Sequence, residues 1–264
     1  MMKRIVFCVL FLSLFSISMG FAGDNKDTEI AVQPTPVPKL GKWQQFWVDR
    51  VELFEKENEK LDPEKKNIVF LGDSLTQGFK VDKYFPDLPV LNRGIGSDGV
   101  CNFPSSKEPY RGVTHRLKES IYDCNPSHIF FLIGTNDVGS SIIPLEYWLG
   151  AQKYVIRSAK KQFPDVKIVL LTCPPTGLNY RSHVYLNEKL LAWNELIKQS
   201  AKDEDCGLID LYSLLVNEEG LLPDEMTRDG LHFNSLGYDK LVVEVKKILE
   251  EDGIRTAPDN TAQN

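Results

Sequence analysis

The chain has 264 residues, of which 42% are hydrophobic and 26% are charged, and its formal net charge is −6. Acidic and basic residues are interspersed, so no basic stripe of the kind that binds nucleic acid is present. The cysteine spacings fit no zinc site, and the length favours one large globular domain over several small ones.

Residues 1–22 have the pattern of a secretory signal peptide. Two basic residues precede an apolar run from Ile5 to Met19, and the small residues that follow indicate cleavage after Ala22. A membrane-spanning helix needs roughly 20 apolar residues, so the run is short for a retained anchor. The sequence therefore predicts an exported protein, periplasmic or secreted, without stable membrane insertion after cleavage.

Residues 23–41 are polar and then proline-rich, which predicts an extended linker. Residues 42–62 place apolar side chains at helical spacing among charged ones: Trp43, Trp47, Val51 and Phe54. This pattern predicts an amphipathic helix packed on the main domain. A helix that binds a membrane surface or a partner is the alternative, and the mixed charge of its polar face disfavours it.

Residues 63–252 alternate short apolar runs with amphipathic segments of helical length. The predicted strands are Asn67–Leu71, Val90–Leu91, His128–Ile133, Lys167–Thr172 and Gly207–Leu211, and the predicted helices cover residues 112–123, 145–163, 183–202 and 235–251. Strands separated by helices indicate an α/β domain in which a parallel sheet carries helices on both faces. Residues 253–264 are small and polar and predict a flexible tail.

Four cysteines remain after removal of the signal peptide: Cys101, Cys124, Cys173 and Cys206. An exported protein meets an oxidising compartment, which favours disulfide formation. Four cysteines allow three connectivities, and the preferred pair is Cys101–Cys124. Buried free thiols are the alternative.

Ser74, Asp229 and His232 have the residue types and spacing of a nucleophile with its base and orienting acid. A serine hydroxyl is a poor nucleophile until a base takes its proton, and an imidazole needs a third group to orient it. Because Asp229 and His232 are three residues apart, a tight turn lets the carboxylate reach one ring nitrogen. The other nitrogen can then face Ser74, and the sequence predicts a serine hydrolase.

The candidate residues follow the ends of predicted strands. Ser74 comes three residues after Leu71, and Asn136 comes three residues after Ile133. Sites in open α/β sheets form beyond the carboxyl ends of the strands. We therefore expect these residues and the loop of residues 92–99 to lie at one edge of the sheet.

These segments resemble the SGNH hydrolases, also called GDSL esterases and lipases, and most closely the bacterial branch related to platelet-activating-factor acetylhydrolase subunits. The resemblance covers about residues 67–249 and rests on four blocks in the family's order. They are Gly-Asp-Ser-Leu around Ser74, Asn-Arg-Gly-Ile-Gly around Gly94, Gly-Thr-Asn-Asp around Asn136, and Asp-Gly-Leu-His ending at His232. The resemblance implies a three-layer α/β/α fold with a flavodoxin-like parallel sheet of about five strands. It also implies ester hydrolysis without a metal or organic cofactor.

The resemblance implies a role for each matched residue. Ser74 matches the nucleophile, His232 the general base and acid, and Asp229 the group that orients His232. The implied oxyanion hole combines the Ser74 amide, an amide of residues 94–97 and the side-chain amide of Asn136.

Two departures from the family pattern concern the second block. The family usually has glycine where this chain has Ser97; spacing makes the Ser97 amide the donor, with Gly96 as the alternative. The segment of residues 99–111 is longer than expected for this loop. It either lines the substrate pocket or forms a surface loop without a role in binding. Gly94, Gly96 and Tyr180 are the further candidates for substrate contact.

The substrate class and two rival functions stay open from the sequence. The resemblance allows a small-molecule ester, an acylated glycan or an acylated lipid as the substrate. One rival is a metal-dependent phosphoesterase, because Asp73, Asn136, Asp229 and His232 offer polar ligands. The other rival is a non-catalytic protein that binds glycans or lipids on the same scaffold.

Overall fold

The computed structural model describes residues 40–102, 111–139 and 144–256. The predicted signal peptide and nearly all of the predicted linker lie outside the described residues, as do residues 103–110 of the insertion and 257–264 of the tail. In the described ranges, no helix combines the length and apolar character needed to cross a bilayer.

Five parallel strands form one sheet at the centre of the domain. They are β1 (Asn67–Gly72), β2 (Val90–Gly94), β3 (Pro126–Leu132), β4 (Lys167–Leu171) and β5 (Gly207–Ile209). Their order is β2-β1-β3-β4-β5, with Ile68 paired to Val90 on one side and to His128 on the other. Every residue of β1 is buried, as expected for a central strand covered on both faces. The predicted flavodoxin-like parallel sheet is confirmed.

Helices cover both faces of the sheet. They are α1 (Lys42–Asn58), α2 (Ser74–Gly78), α3 (Val81–Tyr84), α4 (Leu117–Ser120), α5 (Thr135–Gly139), α6 (Leu145–Gln162), α7 (His183–Asp203), α8 (Leu211–Leu215) and α9 (Ser235–Glu251). On one face, Phe131 packs in a core with Trp148 of α6 and Trp193 of α7. On the other face, Phe130 packs in a core with Leu241 of α9. Adjacent residues of β3 point to opposite faces, which gives the predicted α/β/α layers.

The prediction of one continuous helix over residues 112–123 is wrong. The segment consists of a 3-10 turn at Val113–His115, the single α-turn of α4 and a second 3-10 turn at Tyr122–Cys124. Arg116 interrupts it with φ −134° and ψ 28°. The buried guanidinium donates to the carbonyl oxygens of Gly72 and Arg93 at 2.9 and 2.8 Å. These tertiary hydrogen bonds outweigh the helical periodicity of the segment.

All five strands differ in length from their predicted bounds, and β2 and β5 differ most. β2 reaches Gly94 instead of ending at Leu91. β5 ends at Ile209 because Asp210 begins the next helix, where its side chain accepts a hydrogen bond from the Ser213 amide at 3.2 Å. A side-chain carboxylate in that position satisfies an amide that has no partner inside the helix.

The predicted Cys101–Cys124 disulfide is wrong, because all four cysteines among the described residues are free thiols. The Cys124 sulfur lies 3.4 Å from the Glu119 carbonyl oxygen, whereas the Cys101 backbone packs against Gly112. Burial raises the pKa of Cys101 to about 11. The alternative of free thiols, half-buried at Cys101 and buried at Cys124, describes the structure.

Helix α1 lies against the domain through its apolar face. Trp47 and Phe54 are buried, and the helix ends at Asn58, short of the predicted residue 62. The guanidinium carbons of three arginines lie near the Phe54 ring centroid: Arg93 at 4.8 Å, Arg50 at 5.0 Å and Arg116 at 6.0 Å. Cations over an aromatic face are attracted by the ring quadrupole, so Phe54 attaches α1 to an arginine cluster.

Candidate active site

Ser74 lies at the junction of β1 and α2. The strand ends at Gly72, and Asp73 caps α2 by accepting a hydrogen bond from the Leu75 amide at 3.0 Å. Ser74 is therefore the first residue of a helix at the carboxyl end of a central strand, and its side chain is partly exposed. Its backbone amide belongs to the first turn, where amides lack partners within the helix.

The hydroxyl of Ser74 and the imidazole of His232 lie within hydrogen-bond distance. Ser74 Oγ is 3.0 Å from His232 Nε2, and His232 Nδ1 is 2.8 Å from Asp229 Oδ2. These distances form a continuous chain from the carboxylate to the hydroxyl. A serine in this arrangement can pass its proton to the imidazole while the carboxylate stabilises the imidazolium that forms.

The Asp229 carboxylate also organises the turn that carries it. Asp229 Oδ1 accepts hydrogen bonds from the amides of Leu231 at 3.0 Å and His232 at 2.8 Å. Burial raises the pKa of Asp229, but the hydrogen bonds from His232 and the two amides outweigh it, so the pKa lies below the ordinary value. The carboxylate is therefore ionised at neutral pH and favours a protonated Nδ1 on His232.

Gly230 connects this turn to the loop that follows β4. Its φ is +81°, and its carbonyl oxygen accepts a hydrogen bond from the Gly177 amide at 2.7 Å. A side chain at residue 230 would lie 2.6 Å from the Tyr180 backbone nitrogen, so the contact requires glycine. Tyr180 is half-buried and lies beside the turn. Its predicted contact with substrate stays a prediction.

Ser97 adopts the left-handed backbone conformation, with φ 60°. The Gly96 amide donates to the Gln77 side-chain oxygen at 2.5 Å, so this alternative oxyanion donor is already occupied. Among the described residues, no partner contacts the Ser97 amide. Of the two candidates, Ser97 is therefore the one whose amide is not bound to another described residue.

Asn136 is the second residue of α5, the short helix that follows β3. Its side-chain nitrogen donates to the Asp98 carbonyl oxygen at 2.9 Å and lies 3.4 Å from Asp73 Oδ2. Asn136 is thereby joined to the residue that follows Ser97. The structure brings Ser74, Ser97 and Asn136 to the same edge of the sheet.

Gly94 is closely packed between β2 and α2. It is buried, and a side chain there would lie 2.1 Å from the Gln77 backbone nitrogen. Its carbonyl oxygen accepts a hydrogen bond from Arg50 Nη2 at 2.9 Å. The absence of a side chain at residue 94 lets β2 approach α2 closely, and the predicted contact of Gly94 with substrate stays a prediction. Gly96, by contrast, is half-buried beside Phe46.

A buried ion pair that the sequence did not reveal lies under the loop of residues 94–98, which we call the oxyanion loop. Arg116 Nε and Asp98 Oδ2 are 2.9 Å apart, and neither side chain is exposed. The other Asp98 oxygen accepts hydrogen bonds from the Gly112 amide at 2.7 Å and from Trp47 Nε1 at 3.2 Å. The only sequence signal for this role is that Asp98 directly follows Ser97.

Two further carboxyl groups are buried at the same edge. Burial raises the pKa of Asp73 to about 7 and that of Asp137 to about 8. The two Asp137 oxygens lie 3.0 and 3.2 Å from the Val100 amide. Near neutral pH these groups change charge, which distinguishes them from the ionised Asp229. Across the described ranges, no group of three His, Cys, Asp or Glu side chains is arranged to hold a metal ion.

Comparison with known proteins links this geometry to enzymes. The sequence profile of the GDSL-like Lipase/Acylhydrolase family matches residues 70–240. The isoamyl acetate-hydrolyzing esterase of Schizosaccharomyces pombe is 25% identical over 203 residues, which cover 73% of this chain and 78% of that protein. A solved structure from Streptococcus pneumoniae, provisionally described as a platelet activating factor, is 26% identical with a TM-score of 0.66 and covers 79% of this chain and 92% of that one.

A longer relative matches as well. The N-acylneuraminate cytidylyltransferase of Escherichia coli O18:K1:H7 (strain RS218 / NMEC) is 30% identical over 209 residues. The match covers 76% of this chain but 46% of that protein. This chain therefore spans about half the length of that relative.

Proposed function

This chain belongs to the GDSL-like lipase/acylhydrolase family, and we propose that it is an exported serine esterase that cleaves short acyl esters through an acyl-enzyme. The single observation that carries the proposal is the chain of hydrogen bonds from Asp229 through His232 to Ser74. In this proposal Ser74 is the nucleophile, His232 the general base and acid, and Asp229 the orienting group.

Acylation begins when His232 Nε2 takes the Ser74 proton while Oγ bonds to the ester carbonyl carbon. The carbonyl oxygen becomes an oxyanion, and the intermediate collapses as the bond to the leaving alcohol breaks. His232 returns the proton to that alcohol oxygen. Water then repeats the sequence on the acyl-Ser74 bond, with His232 again acting first as base and then as acid, and releases the carboxylic acid.

The developing oxyanion is placed among the Ser74 amide, the Ser97 amide and the Asn136 side chain. The free Ser97 amide and the partly exposed position of Ser74 support this assignment. One such donor, aimed where negative charge develops, is worth about 3 kcal/mol of transition-state stabilisation. The hydrogen bond to the Asp98 carbonyl holds the Asn136 side chain at this edge of the sheet before substrate binds.

The name of one relative supports acetyl esters of small alcohols as the first class of substrate to test. The Schizosaccharomyces pombe relative is named for an acetate ester of a small alcohol. Acetylated glycans are the second class of substrate to test, because the resemblance to GDSL esterases allows them. Acylated lipids are the third class, and a series of acyl-chain lengths separates it from the other two.

Purified protein with the Ser74→Ala substitution tests the proposal on p-nitrophenyl esters of increasing acyl length. We expect kcat on the acetate to fall by about 10⁴-fold or more, because loss of a serine nucleophile leaves only binding and the oxyanion hole. Ser235→Ala is the matched control, since Ser235 is exposed and also begins a helix. Undiminished hydrolysis by the Ser74→Ala protein would show that the proposed nucleophile is wrong.

Export is tested separately from catalysis. The basic and apolar pattern of residues 1–22 supports cleavage after Ala22. N-terminal sequencing of the protein recovered from the periplasm or medium of the producing bacterium should begin at Gly23. Recovery of only full-length chain in the cell interior would contradict export and leave the esterase proposal untouched.

A further inference from the structure

We infer that helix α1 takes part in catalysis as a support of the oxyanion loop, with Trp47 as its principal positioning residue. The inference rests on the proposed function, because it assumes that the Ser97 amide binds the oxyanion. It concerns a part of the chain outside the segment that matches the family, which begins at residue 70.

The contact between Trp47 and Asp98 is the first step of the argument. Trp47 is 7% exposed, Asp98 is fully buried, and the indole nitrogen donates to the carboxylate at 3.2 Å. Indole has one N–H and no acceptor, so this bond fixes the ring in one orientation. The same carboxylate accepts hydrogen bonds from Gly112 and Arg116, and the indole completes the set.

Asp98 connects this set to both sides of the oxyanion hole. It directly follows Ser97 in the chain, and its carbonyl oxygen accepts the hydrogen bond from Asn136 at 2.9 Å. A shift of the Asp98 backbone would therefore move the Ser97 amide and the Asn136 amide together. Donors that lie in place before the reaction are effective because no reorganisation is needed in the transition state.

The backbone of Ser97 explains why the loop needs support. Its φ of 60° lies in the region that residues with a side chain seldom adopt, and such a conformation persists only where its surroundings fix it. Contacts from α1 span the loop: Arg50 binds the Gly94 carbonyl oxygen, Phe46 lies beside Gly96, and Trp47 binds Asp98. One helix thus fixes the residues on each side of Ser97.

The substitution Trp47→Phe tests the inference, because it keeps an aromatic ring and removes the N–H. Trp43→Phe is the matched control on the same helix, since Trp43 is 67% exposed and, in the described part of the chain, no hydrogen bond joins its indole to the loop. Hydrolysis of p-nitrophenyl acetate is measured, and the concentration of active sites is determined by titration with a serine-directed phosphonate, so that kcat refers to one active site. We expect kcat per site to fall about tenfold for Trp47→Phe with KM changed less than twofold, since a loss confined to kcat marks an interaction of the transition state.

A second measurement combines Trp47→Phe with Asn136→Ala. Because Asp98 joins the two donors, the loss in the double variant should be smaller than the product of the single losses. Independent, multiplicative losses would overturn the inference, and so would an unchanged kcat per site in Trp47→Phe. If the Trp47→Phe protein does not fold, Arg50→Gln, which removes the bond to the Gly94 carbonyl, is measured by the same criteria.

Failure of the proposed function gives a different result. It would appear as undiminished activity in Ser74→Ala, whatever the state of Trp47. An inactive Ser74→Ala protein together with a Trp47→Phe protein of wild-type kcat overturns the role of α1 alone.

Discussion

The turn that carries Asp229 and His232 is exposed and, apart from the Gly177–Gly230 hydrogen bond, is held by bonds between near neighbours. The oxyanion side, in contrast, is buried and is held by residues distant in the sequence. The Asp229 and His232 side chains are 54% and 38% exposed. The Asp98–Arg116 pair is fully buried and joins residues 18 positions apart. The proton-transfer half of the site should therefore tolerate substitution without loss of stability, while the oxyanion half should couple activity to folding.

The largest effect that tests this comparison is expected from Asp229→Asn. The asparagine oxygen can still accept the Leu231 and His232 amides, but an NH2 group takes the place of Oδ2 and cannot accept the hydrogen bond from His232 Nδ1. We expect kcat to fall roughly 10³- to 10⁴-fold, as for other triads that lose the orienting carboxylate, with Tm changed by less than about 2 °C. Thermal unfolding and kinetics on p-nitrophenyl acetate measure both. A large decrease in Tm would contradict the view that this turn is energetically independent.

Asn136→Ala should lower activity less and stability more. Removal of one oxyanion donor typically lowers kcat by about 10²- to 10³-fold. The Asp98 carbonyl oxygen also loses its hydrogen bond inside the protein, which costs about 1–3 kcal/mol of stability. Asn179→Ala, in which an exposed bond to Asp224 is lost, is the matched control and should change neither quantity. An Asn136→Ala protein with the Tm of the wild type would contradict the proposal that activity and stability are coupled on the oxyanion side.

Asp137→Asn should have the smallest effect on activity, because its effect is confined to stability and depends on pH. Burial raises the pKa of Asp137 to about 8, against about 3.9 in an unfolded chain. Between these values the folded protein binds a proton that the unfolded chain has lost, so this group lowers stability as pH rises from about 4 to about 8. Asparagine carries no charge and can still accept the Val100 amide, so Tm should exceed that of the wild type by more than about 5 °C at pH 8 and match it near pH 4.

The control for this pH dependence is Asp165→Asn, because Asp165 is exposed. Its Tm should follow the wild type at both pH values. An Asp137→Asn protein whose advantage is the same at pH 4 and pH 8 would show that the buried carboxyl does not titrate between them.

The comparison also explains which parts of the molecule the sequence could predict. Buried parallel strands are continuous apolar runs, so the five strands were visible, and the residues that follow Leu71 and Ile133 could be placed at one edge of the sheet. Asp229 and His232 were visible because their interaction spans three residues. These signals are all local in the chain.

The oxyanion side could not be predicted in the same way, because its residues act through contacts that are distant in sequence. Charged residues are usually exposed, so nothing marked Asp98 and Arg116 as a buried pair. The same buried Arg116 breaks the helix predicted over residues 112–123. The disulfide prediction failed for a similar reason, since the number of cysteines says nothing about which sulfur atoms are neighbours.

Phe54 has a consequence for where this protein can be divided. Its ring is fully buried against three guanidinium groups, and it lies 16 positions before the first residue of the family-matched segment. A fragment trimmed to that segment would leave Arg93 and Arg116 without their aromatic neighbour and open them to water. The segment needed for folding is thus longer than the segment that matches the family. A chimera made between such enzymes should therefore include helix α1.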